Sequence, residues 1–92
     1  MIRSFASQQT QDFYKGIRVK QFVNFATVAA RKLAMLNAAV DLKDLRSPPG
    51  NRLEALSGNR AGQYSIRIND QWRVCFTWTD DGPVNVEIVD YR

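Results

Sequence analysis

The chain has 92 residues, of which 45% are hydrophobic, and it carries a formal net charge of +4 with a pI of about 9.6. This length and composition predict one folded domain spanning residues 1–92 and exclude a disordered chain. The sequence contains a single cysteine, Cys75, and no histidine. An internal disulfide is therefore excluded, as are Ser-His-Asp triads, Cys-His dyads and HExxH zinc sites, and we expect no metal site and no cofactor.

The N-terminal segment predicts a short strand and then a short helix. In MIRSF, Ile2 and Phe5 are the apolar residues of an opening strand, and SQQTQDFYKG suits a helix with Ser7 as N-cap and Gly16 as its stop. The following IRVKQ is expected to be a loop. Because the N-terminus contains no long apolar run, we expect neither a signal peptide nor a membrane span, and therefore a cytoplasmic protein.

The strongest helical pattern runs from Phe22 to about Val40. Apolar residues recur there at steps of three and four and form one face: Phe22, Phe25, Ala26, Ala29, Leu33, Leu36 and Val40. Arg31 and Lys32 fall outside this face, and we expect both to be solvated. The stretch DLKDLRSPPGNR follows as a loop, because its Pro-Pro-Gly sequence cannot continue a helix.

The remaining sequence predicts an antiparallel meander. LEALSGNRAG suggests a short strand or turn, and alternation with a period of two predicts strands at Gln63–Ile68, Trp72–Thr79 and Val84–Val89. The stretches NDQ and DDGP supply the turns between these strands. The order of elements predicts an α+β fold in which two N-terminal helices pack on one face of an antiparallel sheet.

Alternate residues of these strands share a face of the sheet. The apolar set is expected to face the helices: Tyr64, Ile66, Ile68, Trp72, Val74, Phe76, Trp78, Val84, Val86 and Ile88. The opposite set consists of Ser65, Arg67, Arg73, Cys75, Thr77, Glu87, Val89 and Tyr91. Since Cys75 and Val89 belong to the second set, we expect that face to be partly covered and Cys75 to be a buried structural thiol.

Arg67 and Arg73 stand on adjacent predicted strands, with Tyr91 on the third. Like charges this close are unfavourable unless an anion joins them, so the pattern predicts a cationic cradle for a phosphate. An alternative is equally compatible with the sequence: the arginines form ion pairs with Glu87 and Asp90. Without histidine, an enzyme built on these residues must use arginine, lysine, tyrosine and carboxylates. RNA cleavage by in-line attack of a 2′-hydroxyl fits that set, because the protein mainly positions the phosphate and stabilises its charge.

Three stretches of the chain resemble the HigB group of bacterial toxins, members of the RelE/ParE superfamily that are also called plasmid maintenance system killer proteins. They are ARKLAMLNAA, LRSPPGNRLEALSGNRAGQYSIRINDQWRVCFTW and the terminal VNVEIVDY. The resemblance covers essentially the whole chain and is strongest from Ala30 to Tyr91. It implies a microbial-RNase-like fold, two helices against a twisted antiparallel sheet, and a ribosome-dependent mRNA endonuclease that cuts within the A site.

The resemblance also implies partners and residue roles. The expected partners are the ribosome with its mRNA and a HigA-like helix-turn-helix antitoxin. The toxin would contact operator DNA only indirectly, through this antitoxin. Arg73 would stabilise the scissile phosphate, Tyr91 would stack on a base or assist proton transfer, and Asp90 would act as a base or orient its neighbours. The RNA backbone would be held by a set of cations: Lys43, Arg46, Arg52, Arg60 and Arg67.

The last residue departs from the pattern of the family, which typically ends in Asp-Tyr-His, whereas this chain ends in Arg92. Arginine stays protonated at neutral pH, so Arg92 could stabilise charge on the phosphate but not transfer a proton. We therefore expect a weakened toxin. Two other readings remain open at the level of sequence: a ParE-like inhibitor of DNA gyrase without nuclease activity, and a module whose remaining role is complex formation with its antitoxin.

Overall fold

The computed structural model describes residues 1–91 and contains two α-helices and a four-stranded antiparallel sheet within them. Helix α1 spans Gln8–Tyr14 and helix α2 spans Ala26–Ala38. The strands lie in the order of the sequence: β1 (Glu54–Ala55), β2 (Tyr64–Arg67), β3 (Trp72–Thr79) and β4 (Gly82–Asp90). The predicted α+β class and the antiparallel meander are confirmed. No helix in this part of the chain is long and apolar enough to cross a membrane.

Helix α1 begins and ends where its sequence predicts. The Ser7 hydroxyl oxygen accepts a hydrogen bond from the Thr10 N–H at 3.2 Å, which satisfies one of the free amide groups of the first turn. Gly16 follows the last turn with φ +93°, a conformation that glycine adopts without strain. Residues 17–19 then form the predicted loop, but a 3₁₀ helix already begins at Lys20.

The N-terminal segment lies parallel to β4 and covers its open edge. Three backbone hydrogen bonds join the two segments: Arg3 N–H to Pro83 O, Val86 N–H to Ser4 O, and Ala6 N–H to Val86 O. The predicted opening strand is thus reduced to a single parallel bridge between Phe5 and Val86. Farther along β4, the Ile88 N–H donates to the buried Thr10 hydroxyl at 2.9 Å. These contacts occupy backbone groups that an edge strand otherwise leaves unpaired.

The long predicted helix consists of two kinds of helix. A 3₁₀ helix spans Lys20–Phe25, and α2 follows it directly. Residues three apart lie on the same side of a 3₁₀ helix, so Phe22 and Phe25 still pack together in the core. The predicted end of the helix was wrong by two residues, because the chain becomes extended at Ala39. Val40 is accordingly 81% exposed and does not belong to the apolar face.

The core lies between the helices and one face of the sheet. Its buried apolar residues are Phe22, Phe25, Ala29, Leu33, Leu36, Leu45, Ile66, Ile68, Val74, Phe76, Val86 and Ile88. Tyr64, Trp72 and Trp78 pack against this cluster while remaining partly exposed. The predicted helix-facing set is therefore confirmed for nearly all of its members.

The prediction that Lys32 is solvated was wrong. Lys32 is only 8% exposed, whereas its neighbour Arg31 is exposed as expected. The predicted loop after α2 contains two further 3₁₀ helices, Leu42–Arg46 and Pro49–Asn51, and the second of these reaches Lys32. Helical periodicity could not reveal this burial, because the covering residues come from another segment of the chain.

A β-bulge moves one predicted core residue to the other face of the sheet. The pairing of β3 with β4 shifts by one residue near Asn85, whose φ is +54°. Beyond the shift, Val84 lies opposite Thr77 and shares its face, which points away from the helices. The prediction that Val84 faces the helices was therefore wrong, whereas Val86 and Ile88 lie in the core.

Replacing Thr10 by valine should destabilise the fold, because valine keeps the shape but leaves the Ile88 N–H without an acceptor. The expected loss is about 1–3 kcal/mol of unfolding free energy, measured as a lower urea midpoint at unchanged slope. Thr10→Ser is the matched control, since it keeps the acceptor oxygen and removes one methyl group. A valine variant as stable as the serine variant would contradict the role given to this hydroxyl.

Candidate nucleic-acid cleft

The candidate site lies on the face of the sheet that points away from the helices. The strand register places Arg67 opposite Arg73, and Arg73 opposite Val89. The next row across the sheet contains Glu54, Ser65, Cys75 and Glu87. Ser65 and Cys75 are fully buried, so this face is partly covered, as the sequence predicted.

Arg73 is the buried centre of this face, with 7% of its surface exposed. Its Nη1 lies 3.0 Å from Oε2 of Glu54, and its Nη2 donates to the carbonyl oxygen of Arg52 at 3.0 Å. Its Nε–H is also buried and has no hydrogen-bond acceptor within residues 1–91. A guanidinium stays charged at any ordinary pH, and a buried charge requires partners. Glu54 and the Arg52 carbonyl therefore fix both the position and the plane of the Arg73 side chain.

Tyr91 places an aromatic ring against this guanidinium. The Tyr91 N–H donates to the Gln71 carbonyl oxygen at 2.6 Å, which holds the end of β4 beside the start of β3. Cζ of Arg73 lies 5.5 Å from the centre of the Tyr91 ring, within the range of a cation–π contact. Since Tyr91 is 43% exposed, the rest of its ring remains accessible to a ligand.

These residues enclose a cavity of about 160 Å³, which we call the arginine cleft. It is lined by Arg52, Glu54, Arg67, Asn69, Asp70, Arg73 and Tyr91. Three arginines face two carboxylates there, so the lining carries a net positive charge. Arg67 forms an ion pair with Asp70, but Asp70 is 99% exposed and such surface pairs are weak. Arg67 can therefore exchange this partner for a phosphate at little cost.

Arg52 reaches the cleft through an unusual backbone conformation. It ends the 3₁₀ helix Pro49–Asn51 and has φ +45°, in the left-handed region that residues other than glycine rarely occupy. This turn directs its carbonyl oxygen to Arg73. Within residues 1–91, the exposed Arg52 side chain makes no ion pair or hydrogen bond, so its charge is available at the mouth of the cleft.

The predicted site residues are thus brought together only in part. Arg52, Arg67, Arg73 and Tyr91 line one cavity. Asp90 lies at the end of β4, where its carboxylate accepts a hydrogen bond from Gln71 Nε2 at 2.9 Å, and it does not line that cavity. Arg92 lies outside the described residues.

The other predicted RNA contacts lie elsewhere on the surface. Arg60 shares the sheet face of the cleft, but it forms an ion pair with Glu87 at 3.0 Å and donates to Gln63 at 3.0 Å. Lys43 and Arg46 line a separate cavity of about 380 Å³ beside β1. The alternative is correct in that Arg67 and Arg73 both pair with carboxylates, Asp70 and Glu54. Its predicted partner Glu87 was wrong, because Glu87 pairs with Arg60 instead.

Sequence reasoning missed Glu54, Asn69 and Asp70 in the cleft, and Glu54 matters most because it pairs with Arg73. It lies in the two-residue strand β1, too short to show an alternating pattern. One signal was present: Glu54 is the sole acidic residue between Asp44 and Asp70, in a stretch rich in arginine. Its side chain is 51% exposed while it pairs with Arg73, so one carboxylate reaches both the buried guanidinium and the open cleft.

Cys75 is a free, fully buried cysteine in the same row of the sheet as Glu54 and Glu87, which confirms the predicted buried thiol. Burial raises the pKa of this thiol, because the thiolate is poorly solvated there; Arg60 opposes the shift and Glu87 adds to it. Its position within β3 and its raised pKa both disfavour a nucleophilic role.

Comparisons with solved structures identify the fold of this domain. A chain of the YoeB–YefM complex from Staphylococcus aureus superposes with a TM-score of 0.63 at 23% identity, over 100% of this chain and 98% of that chain. The YoeB dimer from the same organism superposes with a TM-score of 0.62 at 23% identity, over 99% and 97% of the two chains. The YoeB/ParE toxin from Agrobacterium tumefaciens superposes with a TM-score of 0.51 at 18% identity, over 98% and 95% of the two chains. The helices on a four-stranded sheet therefore form the fold of the YoeB/ParE-like toxins.

Sequence comparison gives the family within that class. A family model described as the RelE-like toxin of type II toxin–antitoxin system HigB matches residues 3–92. Toxin HigB-1 of Vibrio cholerae serotype O1 is 38% identical over 94 residues, which cover 100% of this chain and 99% of that toxin. The chain belongs to the HigB family of RelE-like toxins of type II toxin–antitoxin systems, as its sequence motifs indicated.

The raised pKa of Cys75 predicts that stability falls at alkaline pH. Above the unfolded thiol pKa of about 8.5, the unfolded chain loses a proton that the folded chain keeps, so each pH unit lowers the unfolding free energy by up to about 1.4 kcal/mol. Cys75→Ala should remove this contribution. The check is urea unfolding of both proteins between pH 7 and pH 10. Parallel pH profiles for the two proteins would contradict the assignment.

Proposed function

We propose that this toxin acts as a ribosome-dependent mRNA endonuclease, and therefore in the cytoplasm. The observation that supports the proposal best is Arg73, a buried guanidinium held between Glu54 and the Arg52 carbonyl at the base of a positively charged cleft. A fixed, permanent positive charge that opens onto a small cavity suits a phosphate whose negative charge increases during reaction.

The proposed reaction is in-line attack of a ribose 2′-hydroxyl on the adjacent phosphate. Glu54 takes the proton from the 2′-hydroxyl, the 2′-oxygen forms a bond to phosphorus, and the bond from phosphorus to the 5′-oxygen breaks. The products are a 2′,3′-cyclic phosphate and a 5′-hydroxyl. We assign Glu54 the role of base ahead of Asp90, because Glu54 lines the cleft and is half exposed there, whereas Asp90 does not line it.

Arg73, Arg67 and Arg52 supply the charge stabilisation in this proposal. Arg73 contacts the scissile phosphate from below, and Arg67 releases Asp70 to contact the same or the next phosphate. Tyr91 offers the exposed part of its ring to a neighbouring base, and its hydroxyl is a candidate donor to the leaving 5′-oxygen. Arg92 adds charge but cannot transfer a proton, which agrees with the expectation of a slow enzyme.

We attribute the dependence on the ribosome to the small size of the cleft, which would hold only a short part of an mRNA. The cavity takes a phosphate and its immediate surroundings, while Lys43 and Arg46 lie at a separate cavity. Positioning of reactants contributes much of the rate enhancement in such a reaction. We propose that the ribosome supplies this positioning by presenting the mRNA, and that cations outside the cleft contact RNA backbone.

Substitutions of Arg73 and Glu54 should slow the cutting of an mRNA during its translation by purified ribosomes, measured by primer extension. We expect Arg73→Met to lower the cleavage rate about 10²–10³-fold and Glu54→Gln about 10²–10⁴-fold. Arg3→Met is the control, since it removes an exposed arginine far from the cleft and should leave the rate unchanged. Arg92→His should raise the rate, because it restores a proton-transfer group.

The same experiment separates the proposal from its alternatives. Cuts that persist in Glu54→Gln would remove Glu54 from the reaction. No cuts by the parent chain or by Arg92→His, together with inhibition of gyrase supercoiling, would replace the proposal with a ParE-like activity. No effect in either assay would leave a module that acts only through its antitoxin.

We also propose that the antitoxin, of the HigA-like helix-turn-helix type and acting on operator DNA, binds the helical half of the toxin. An apolar groove of about 370 Å³ lies there between the end of α1 and the start of α2. Ile17 and Val23 line this groove and are 54% and 41% exposed. Residues 13–40 contain five basic residues and no acidic one, so the groove suits an acidic segment with one apolar face.

Placing a negative charge in the groove should weaken the antitoxin complex without affecting catalysis. We expect Val23→Asp to lower antitoxin affinity at least about tenfold by calorimetry, because a carboxylate would have to be buried and would repel an acidic partner. Val40→Asp is the matched control, since Val40 is exposed and lies outside the groove. Equal affinity of the two variants would place the antitoxin elsewhere.

A further inference from the structure

Lys32 is a buried ammonium group that neither the core nor the proposed reaction requires. It lies on α2 with 8% of its surface exposed, and its Nζ donates to Oδ1 of Asn51. Burying a charged amine is unfavourable, and a methionine would fill the same space without that cost. Stability alone therefore does not explain a lysine at this position.

Asn51 connects Lys32 to the segment that precedes the cleft. Asn51 is fully buried, and its Nδ2 donates to the carbonyl oxygens of Leu45 at 3.2 Å and Ser47 at 3.4 Å. A longer contact, 3.6 Å, joins the same nitrogen to the sulfur of Met35 on α2. The Asn51 side chain thus holds the segment at residues 42–51 against α2, and it also hydrogen-bonds two carbonyl groups within that segment.

The residues that hold Arg73 follow directly after Asn51. The Arg52 carbonyl, one residue on, accepts from Nη2 of Arg73, and the Glu54 carboxylate, three residues on, pairs with its Nη1. Between Asn51 and β1 the chain makes the left-handed turn at Arg52. Any movement of Asn51 therefore displaces both groups that orient the guanidinium.

We propose that Lys32 is a positioning residue for the arginine cleft: through Asn51 it fixes the backbone of Arg52 and Glu54, and thereby the plane of the Arg73 guanidinium. The kinetic part of this inference rests on the proposed nuclease function, whereas the structural part does not. The Lys32–Asn51 hydrogen bond joins α2 to the segment that continues into the cleft through Arg52 and Glu54.

The electrostatics of Lys32 agree with this placement. Its pKa is lowered, first because burial disfavours the charged form, and then because Arg31 and Arg67 repel it. Arg67 lines the cleft, so the ammonium group is close enough to the cleft wall for their charges to interact. Asn51 is the one hydrogen-bond acceptor of this ammonium group among the described residues.

Three variants test the proposal. Lys32→Met removes the donor and keeps the length of the side chain, and Arg31→Met is the matched control on the same helix, at an exposed position. Asn51→Asp can still accept a hydrogen bond from Lys32 but loses the amide donor to the Leu45 and Ser47 carbonyl oxygens. This variant provides the test if Lys32→Met does not fold. Each is measured by thermal unfolding, by the ¹⁵N NMR signal of Arg73 Nε–H, assigned with Arg73→Met, and by cleavage kinetics on ribosomes.

We expect Lys32→Met to unfold close to the temperature of the parent, because relief of the buried charge offsets the donor that Asn51 Oδ1 loses, while the Arg73 Nε–H signal shifts or broadens. The kcat for cleavage should fall about tenfold to a hundredfold with little change in KM, as expected when a reacting group is misplaced by about 1 Å. Asn51→Asp should give the same NMR change, and Arg31→Met should change neither the signal nor kcat.

An unchanged Arg73 signal and unchanged kcat in folded Lys32→Met would overturn the proposal and leave Lys32 a structural residue. If only Asn51→Asp folds, an unchanged Arg73 signal in that variant has the same consequence. If the parent chain cuts no mRNA, the proposed nuclease function fails, and the NMR signal alone then decides whether Lys32 positions Arg73.

Discussion

The contact between Arg73 and Glu54 is the interaction on which the rest of the site depends. Leaving a buried guanidinium without its carboxylate would cost on the order of 3–5 kcal/mol of unfolding free energy. Arg73 can therefore be buried on β3 only because Glu54 lies beside it. That requirement explains the short strand β1, the left-handed turn at Arg52 and the return of the chain to Tyr91. Each of these brings one group to the same side chain.

The two faces of the domain differ in chemistry, and this division suits a toxin of a type II system. The cleft is polar and positively charged, and it lies on the outer face of the sheet. The groove between α1 and α2 is apolar with a basic surround. An antitoxin bound in the groove would leave the cleft open, so neutralisation would have to act by excluding the ribosome or through the Lys32–Asn51 contact.

The elements with strong local signals could be predicted from the sequence. The cap at Ser7, the stop at Gly16 and the three meander strands were all correct, because propensity, caps and alternation depend on neighbouring residues. The errors at Lys32 and Val84 have long-range causes: a covering segment in the first case and a bulge in strand pairing in the second. Neither the covering segment nor the bulge produces a pattern among neighbouring residues of the sequence.

The candidate site was predictable to a similar degree. Arg67, Arg73 and Tyr91 could be assigned to one face by counting residues along strands, and the structure brings them together. Glu54 could not, because a two-residue strand has no period and its partner lies 19 positions away. The assignment of Arg60, Lys43 and Arg46 to the RNA backbone came from the family resemblance and stays a prediction; the structure places Lys43 and Arg46 at a separate cavity and Arg60 in an ion pair with Glu87.

We propose that this cleft cuts RNA by attack of a 2′-hydroxyl on a phosphate held at Arg73. The most direct test is to identify the chemical ends of an mRNA cut on translating ribosomes, by mass spectrometry of the fragments. We expect a 2′,3′-cyclic phosphate, or the 3′-phosphate formed from it, and a 5′-hydroxyl on the other fragment. A 5′-phosphate with a 3′-hydroxyl would show attack by water and would contradict the account.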